Sequence, residues 1–374
     1  MSISMEKKLG FGTMRLPLTD PEDPKSIDHA RFQCMVDRYM ERGFCYFDTA
    51  YPYHEGLSEE AVRRCVAERY PRDRFLLADK MPILQVKATE DYERIFAEQL
   101  RRCGVDYFDV YLLHNLGRDR YPNTERFGGF AFLRGLKERG RARNIGFSFH
   151  DDAETLDRIL TEHPEVDVVQ LQLNYLDWNG AVAQSGRCYE VAKKHGKDVI
   201  VMEPVKGGQL ANLPERAMAL FDDFYGSAAP SPASLAIRFA ASLPQVKVVL
   251  SGMSTPEQVE DNTAFMQEFV PLSPEERQLT GKIEEELKRA IKVPCTSCRY
   301  CMEVCPKNIA IPNYFGLLNL HAVTGKKTNM YYQRYSLNHG KASECLKCGL
   351  CEKNCPQHIS IRRMLEEFAA LYEE

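Results

Sequence analysis

The sequence predicts an α/β fold: an eight-stranded (β/α)8 barrel over residues 1–271, a linker helix over 272–294, and a small, mainly α-helical domain over 295–374. Three observations point there. Eight short apolar or β-branched runs alternate with stretches of helical periodicity, the signature of parallel strands joined by helical crossovers. No G-x-G-x-x-G follows the first run, which argues against an open dinucleotide-binding sheet. Eight of the 13 cysteines fall after residue 294, in two copies of C-x2-C-x2-C-x3-C-P.

In chain order the strands are expected at Leu9–Leu16, Phe44–Thr49, Phe75–Lys80, Phe108–His114, Asn144–Phe149, Val166–Leu173, Val199–Glu203 and Val246–Ser251. Helical spacing is clearest at Ser58–Arg69, Thr89–Cys103, Asp152–Glu162 and Ser231–Ser242. The linker, Pro-punctuated and then charged, reads as a helix packed outside the barrel, and Tyr314–Val323 as an apolar helix of the tail. Eight strands in this alternation close a TIM barrel, whose chemistry sits at the carboxyl ends of its strands.

The cysteine runs are Cys295, Cys298, Cys301, Cys305 and then Cys345, Cys348, Cys351, Cys355, each closed by a proline. Zinc pairs need a longer gap between their second and third ligands. Disulfides fit poorly, because the other five cysteines are scattered and no signal peptide is seen. The doubled run resembles that of bacterial ferredoxins, which predicts two [4Fe-4S] clusters, about eight irons per chain. The resemblance also implies crossed ligation: Cys295, Cys298, Cys301 and Cys355 on one cluster, and Cys345, Cys348, Cys351 and Cys305 on the other. The long segment between the runs makes this ferredoxin-like domain similar to the helical ferredoxins of respiratory dehydrogenases.

Four polar residues fall at or just beyond strand ends: Asp48, Tyr53, Lys80 and His114. Alone, each has an ordinary explanation as a cap, a packing residue or a solvated end. Together they converge on one mouth. A tyrosine of pKa near 10 is a poor proton donor at neutral pH. A neighbouring ammonium lowers that pKa, and a carboxylate holds the ammonium in place. A histidine beside them can orient a carbonyl oxygen, so the set suits carbonyl reduction.

Phe47-Asp-Thr-Ala-Tyr-Pro-Tyr53-His-Glu-Gly-Leu-Ser-Glu59, with Lys80, Leu112-Leu-His114 and the opening Leu9-Gly-Phe-Gly-Thr-Met-Arg-Leu-Pro17, resembles the aldo-keto reductase family. The opening looks like that family's N-terminal hairpin and first strand. The resemblance spans about residues 8–270, and the whole chain is similar to the branch with a C-terminal ferredoxin module. It implies Tyr53 as general acid and base, assisted by Asp48, Lys80 and His114. It implies a nicotinamide whose carboxamide meets Ser148 and Gln170, and an adenosine end gripped by the strand-8 loop, with Asn262 at the adenine. Departures are Phe149 where many relatives have Asn, and Met202 where many stack an aromatic on the nicotinamide. Gly252 and Gln258 stand where many have cations for a 2′-phosphate. The missing cations favour NAD(H) over NADP(H), and the missing stack leaves a flavin as an alternative occupant.

A net charge of −4 gives no reason to expect nucleic acid, and no apolar run is long enough to span a membrane. The expectation is a cytoplasmic oxidoreductase with a small-molecule carbonyl/alcohol substrate and an electron-carrier protein as partner. The substrate loops are expected at Gly117–Gly129 and Lys206–Pro230. The competing reading is an electron-transfer protein whose barrel is mainly a cofactor or docking scaffold.

Overall fold

The computed structural model describes residues 7–21, 23–180, 184–324, 327 and 329–373. Eight strands form a closed, all-parallel barrel in sequence order: β1 (Leu9–Gly12), β2 (Tyr46–Asp48), β3 (Leu76–Met81), β4 (Phe108–Leu116), β5 (Ala142–Phe149), β6 (Val168–Gln172), β7 (Asp198–Met202) and β8 (Val246–Ser251). Closure is the pairing of β1 with β8, Phe11 opposite Ser251. Parallel strands covered by helices are buried on both faces, so they read as continuous apolar runs. Tyr46, Ala78, Val110, Leu112, Val168, Ile200, Val248 and Leu250 form one packed cluster of strand residues. Gly146 is required by this packing, since a Cβ there would lie 1.9 Å from the Val168 carbonyl oxygen.

The crossover helices start and stop where local chemistry directs. Asp152 caps Ala153–Glu162 by accepting from the Thr155 N–H at 2.8 Å. Thr255, followed by Pro256, does the same for Pro256–Gln267. Helix Glu90–Cys103 has acids in its first turn and arginines in its last, then stops at left-handed Gly104.

Two expectations shift. The first strand ends at Gly12 rather than Leu16, because Thr13–Arg15 turns into a short 3-10 helix. Thr13 there donates to the Asp48 carbonyl at 3.0 Å and bonds Ser58. The expected N-terminal hairpin does not form within Leu9–Pro17, where Leu9–Gly12 pairs with β2 and β8; antiparallel pairing begins just beyond, with Leu18 bridging Ile27. The helix expected at Ser58–Arg69 is α-helical to Val62 and then widens to π-helical turns at Arg63–Ala67.

The chain divides into two compact units. One comprises residues 1–204 and 233–273 and holds the barrel; the other comprises 205–232 and 274–374. The second unit therefore includes the segment after β7, expected above as a substrate loop, and begins again at 274. Within it helix Glu215–Tyr225 meets the expected linker helix, Pro274–Ala290, where the Tyr225 hydroxyl donates to Glu276 at 2.7 Å. Helices Ile311–Thr324 and Ile361–Tyr372 share an apolar core, with Tyr314 stacked on Phe368 at 4.6 Å.

This unit repeats itself. Short helices Tyr300–Glu303 and Leu350–Lys353 carry the third cysteine of each run. Left-handed residues recur as Ser297 and Lys347, Arg299 and Gly349, Asn308 and His358, the members of each pair 50 positions apart.

Candidate active site and candidate metal centres

Asp48 is the last residue of β2, Lys80 lies one residue before the end of β3, and His114 lies two residues before β4 ends at Leu116. The Lys80 ammonium, fully buried, donates to Asp48 Oδ1 at 2.6 Å, to the Thr49 carbonyl at 2.7 Å and to the Tyr53 hydroxyl at 3.4 Å. Asp48 accepts on its other oxygen from Gln170 Nε2 at 2.9 Å. Burial pushes the Asp48 carboxyl up from its ordinary range, and the Lys80 charge and these hydrogen bonds oppose that shift.

Tyr53 opens a short turn, Tyr53–Gly56, that the loop holds firmly. Its N–H donates to the Ala50 carbonyl. The His54 ring accepts from the Leu16 N–H at 3.1 Å and contacts the Pro24 carbonyl at 2.7 Å. The Tyr53 ring stands edge-on to His114 at 6.0 Å, and Lys80 lies 4.9 Å from the Tyr53 ring centroid. Burial first, then the Lys80 charge, pushes the His114 imidazole well below its ordinary value. It is neutral at pH 7, with one ring N–H to donate. All four expected residues are thus brought together.

The cofactor residues are less uniform. The Ser148 hydroxyl accepts from the Asn115 N–H at 2.7 Å. Asn115, left-handed and buried next to His114, keeps a side-chain carbonyl oxygen without a partner. It was not singled out from sequence; an Asn after the histidine, where Phe149 removes the one expected after Ser148, was the available signal. Met202 ends β7 half-buried. Asn262 is buried and donates to the Ser251 hydroxyl at 2.8 Å, while Gln258 accepts from the Ser254 N–H at 2.7 Å. Beside Gly252 lies the Arg15 side chain, whose guanidinium pairs with Glu203 at 3.0 Å. The second Glu203 oxygen is buried without a partner. A cation therefore stands near Gly252 after all, supplied from the turn after β1 and already matched by a carboxylate.

The cysteines gather into two groups. One small cavity is lined by Cys295, Cys298, Cys301 and Cys355. A second is lined by Cys305, Cys345, Cys348 and Cys351. All 13 cysteines are free of disulfides. The Ser297 N–H points at Cys295 Sγ at 3.4 Å and the Ile309 N–H at Cys305 Sγ at 3.5 Å. Burial and the neighbouring Cys298, Cys295 and Cys355 push the Cys301 thiol far up. Cys351, beside Cys345 and Cys305, is pushed up to about 11, burial being the largest cause. Four converging sulfurs in each cavity are the donor set that a [4Fe-4S] cluster takes.

No described helix is long and apolar enough to cross a membrane. Residues 8–285 match the aldo/keto reductase family, and residues 294–359 match the 4Fe-4S dicluster domain. An aldo-keto reductase of Mycolicibacterium smegmatis is 28% identical over 248 residues, 66% of this chain and 77% of that protein. The NADH-specific methylglyoxal reductase of Escherichia coli is 26% identical over 305 residues, 69% of this chain and 89% of that protein. The solved holo form of an aldo-keto reductase from Bacillus halodurans superposes with a TM-score of 0.60 at 25% identity, over 74% of this chain and 91% of that one. A Klebsiella pneumoniae aldo/keto reductase solved with NADP and acetate gives 0.58 at 20% identity, over 74% and 91%. The chain belongs to the aldo/keto reductase family, an oxidoreductase whose barrel is followed by a 4Fe-4S dicluster domain.

Proposed function

We propose that this protein interconverts a carbonyl and an alcohol at the barrel mouth with NAD(H) or NADP(H), Tyr53 acting as general acid and base. The carrying observation is the Lys80 ammonium, buried and shared between Asp48 and the Tyr53 hydroxyl. Relatives named for their cofactor are named for NADH and NADP, so a nicotinamide and not a flavin is proposed. Asn115 and Glu203, each with a buried acceptor oxygen lacking a partner, fit a polar ligand beside them. Cys295, Cys298, Cys301 and Cys355 are proposed to hold one [4Fe-4S] cluster, and Cys305, Cys345, Cys348 and Cys351 the other, as the two cavities support. Bound, the nicotinamide supplies or takes up a hydride and the clusters hold single electrons.

In the reducing direction Tyr53 gives its hydroxyl proton to the carbonyl oxygen. Lys80 steadies the phenolate left behind, at a site where little water screens the attraction. Asp48 and the Thr49 carbonyl keep the ammonium aimed. Neutral His114 donates a ring N–H to the same substrate oxygen and so fixes the carbonyl's orientation. The family and this geometry favour catalysis over a barrel that only docks. An electron-carrier partner, entering through the clusters, remains part of the proposal.

The test is anaerobic NADH and NADPH oxidation with a panel of aldehydes, wild type against Tyr53→Phe. Losing the proton donor should lower kcat/KM by about 10²–10⁴-fold. Equal rates for the two proteins would refute the assignment.

A further inference from the structure

Lys206 has no place in the barrel chemistry, yet it is one of the more constrained residues in the chain. It is 2% exposed and left-handed, at φ +46, a conformation unfavourable for a residue bearing a Cβ. Gly207 and Gly208 follow, also left-handed, and a Cβ at Gly207 would lie 2.6 Å from the Thr296 carbonyl oxygen. Gln209 Nε2 donates to the Cys295 carbonyl at 2.8 Å. The turn is therefore pressed against the first cysteine run. Its ammonium donates to Gln357 Oε1 at 3.2 Å. Gln357 is buried, lies two residues after Cys355, and lines the cavity formed by Cys295, Cys298, Cys301 and Cys355.

The 50-residue repeat gives this contact its meaning. The position matching Gln357 in the other half is Lys307, which lines the second cysteine cavity and is exposed. Each cavity has a cation of its own half at its wall, half-buried Arg299 in the first, where the other half has Gly349, and exposed Lys307 in the second. At the position of Lys307 the first half has a neutral amide, Gln357, and a buried lysine from a distant segment stands behind that amide.

We propose that Lys206 is a built-in cation of the first cluster site that raises that cluster's reduction potential. This rests on the cluster ligation proposed above. Four thiolates leave a bound cluster anionic, and reduction adds one more negative charge. A fixed buried cation favours the reduced form, with far less screening than Lys307 meets in solvent. Net charge and hydrogen bonding are among the means by which a protein sets such potentials.

The experiment is an anaerobic, EPR-monitored redox titration of the full-length, iron-loaded protein, comparing wild type, Lys206→Met and Lys307→Met. In Lys206→Met one of two one-electron transitions should move down, its oxidised-to-reduced ratio at fixed potential rising tenfold, about 59 mV. The other transition should stay, and Lys307→Met should shift its own by less. Unmoved transitions in Lys206→Met overturn the proposal. Should that variant lose iron, Gln357→Glu brings a negative charge to the same place and should also lower the potential. Loss of the first cluster from both variants, or no shift in an iron-loaded Gln357→Glu, leaves Lys206 a packing residue and overturns the proposal too. A wild type without iron refutes the ligation itself, a separate failure visible before any variant is made.

Discussion

The barrel mouth and the cysteine cavities both crowd ionisable groups together, Asp48 and Lys80 fully buried at the mouth and the cysteines partly buried in the cavities, but they balance the cost in opposite ways. At the mouth the charges are opposite. Asp48 and Lys80 lie 2.6 Å apart, and the Thr49 carbonyl, Gln170 and the Tyr53 hydroxyl occupy further hydrogen-bonding positions around them. In the cavities the groups are alike: Cys301 is pushed up by burial and by three thiols of its own group. The mouth is complete in its own residues. With the proposed clusters as their occupants, the cavities would be completed by metal, and metal binding there would be coupled to folding. On the function proposed above, the same chain pairs an acid–base site built from its own residues with one that a cluster completes.

Breaking the mouth's balance should give the largest effect. Lys80→Met leaves Asp48 buried without its counter-ion, and removing one member of a buried pair costs about 3–5 kcal/mol. Urea unfolding followed by the fluorescence of Trp178, the chain's one tryptophan, should show that loss. Adding Asp48→Leu should restore much of the stability and none of the activity. A Lys80→Met protein as stable as wild type would mean that the pair is not balanced as described.

A smaller effect concerns pH. The His114 imidazole is held well below its ordinary value, which is also its value in the unfolded chain. Below about pH 6.5 the unfolded chain takes up a proton that the folded one refuses. This contribution to stability is therefore present above that pH and is lost as pH falls, by up to about 1.4 kcal/mol per pH unit. Unfolding by the same fluorescence at pH 7.5 and 5.5 should show His114→Asn losing less stability on acidification than wild type. Equal losses would place the ring in a wetter setting than the structure gives it.

The two regions also differed in how far the sequence revealed them. The cysteine runs are local patterns, and their crossed grouping matches the two cavities. Strand ends gave Asp48, Lys80 and His114, since strand and helix alternation fixes which residues reach the mouth. β8 spans the expected Val246–Ser251, whereas β1 stops short of the expected Leu16 because Thr13–Arg15 coils into a 3-10 turn that apolar Met14 and Leu16 do not signal. What stayed hidden was pairing over long separations. Arg15 with Glu203, Asn115 with Ser148, and Lys206 with Gln357 lie 33 to 188 positions apart, and no local periodicity records such partners. The placement of 205–232 with the tail was hidden for the same reason.

The contrast is tested most directly by hydrogen exchange on the iron-loaded protein and on protein stripped of iron anaerobically. The account predicts that residues 293–310 and 341–360 lose protection without iron while strands β2, β3 and β4 keep theirs. Cysteine segments as protected without metal as with it, or barrel strands that open together with them, would contradict it.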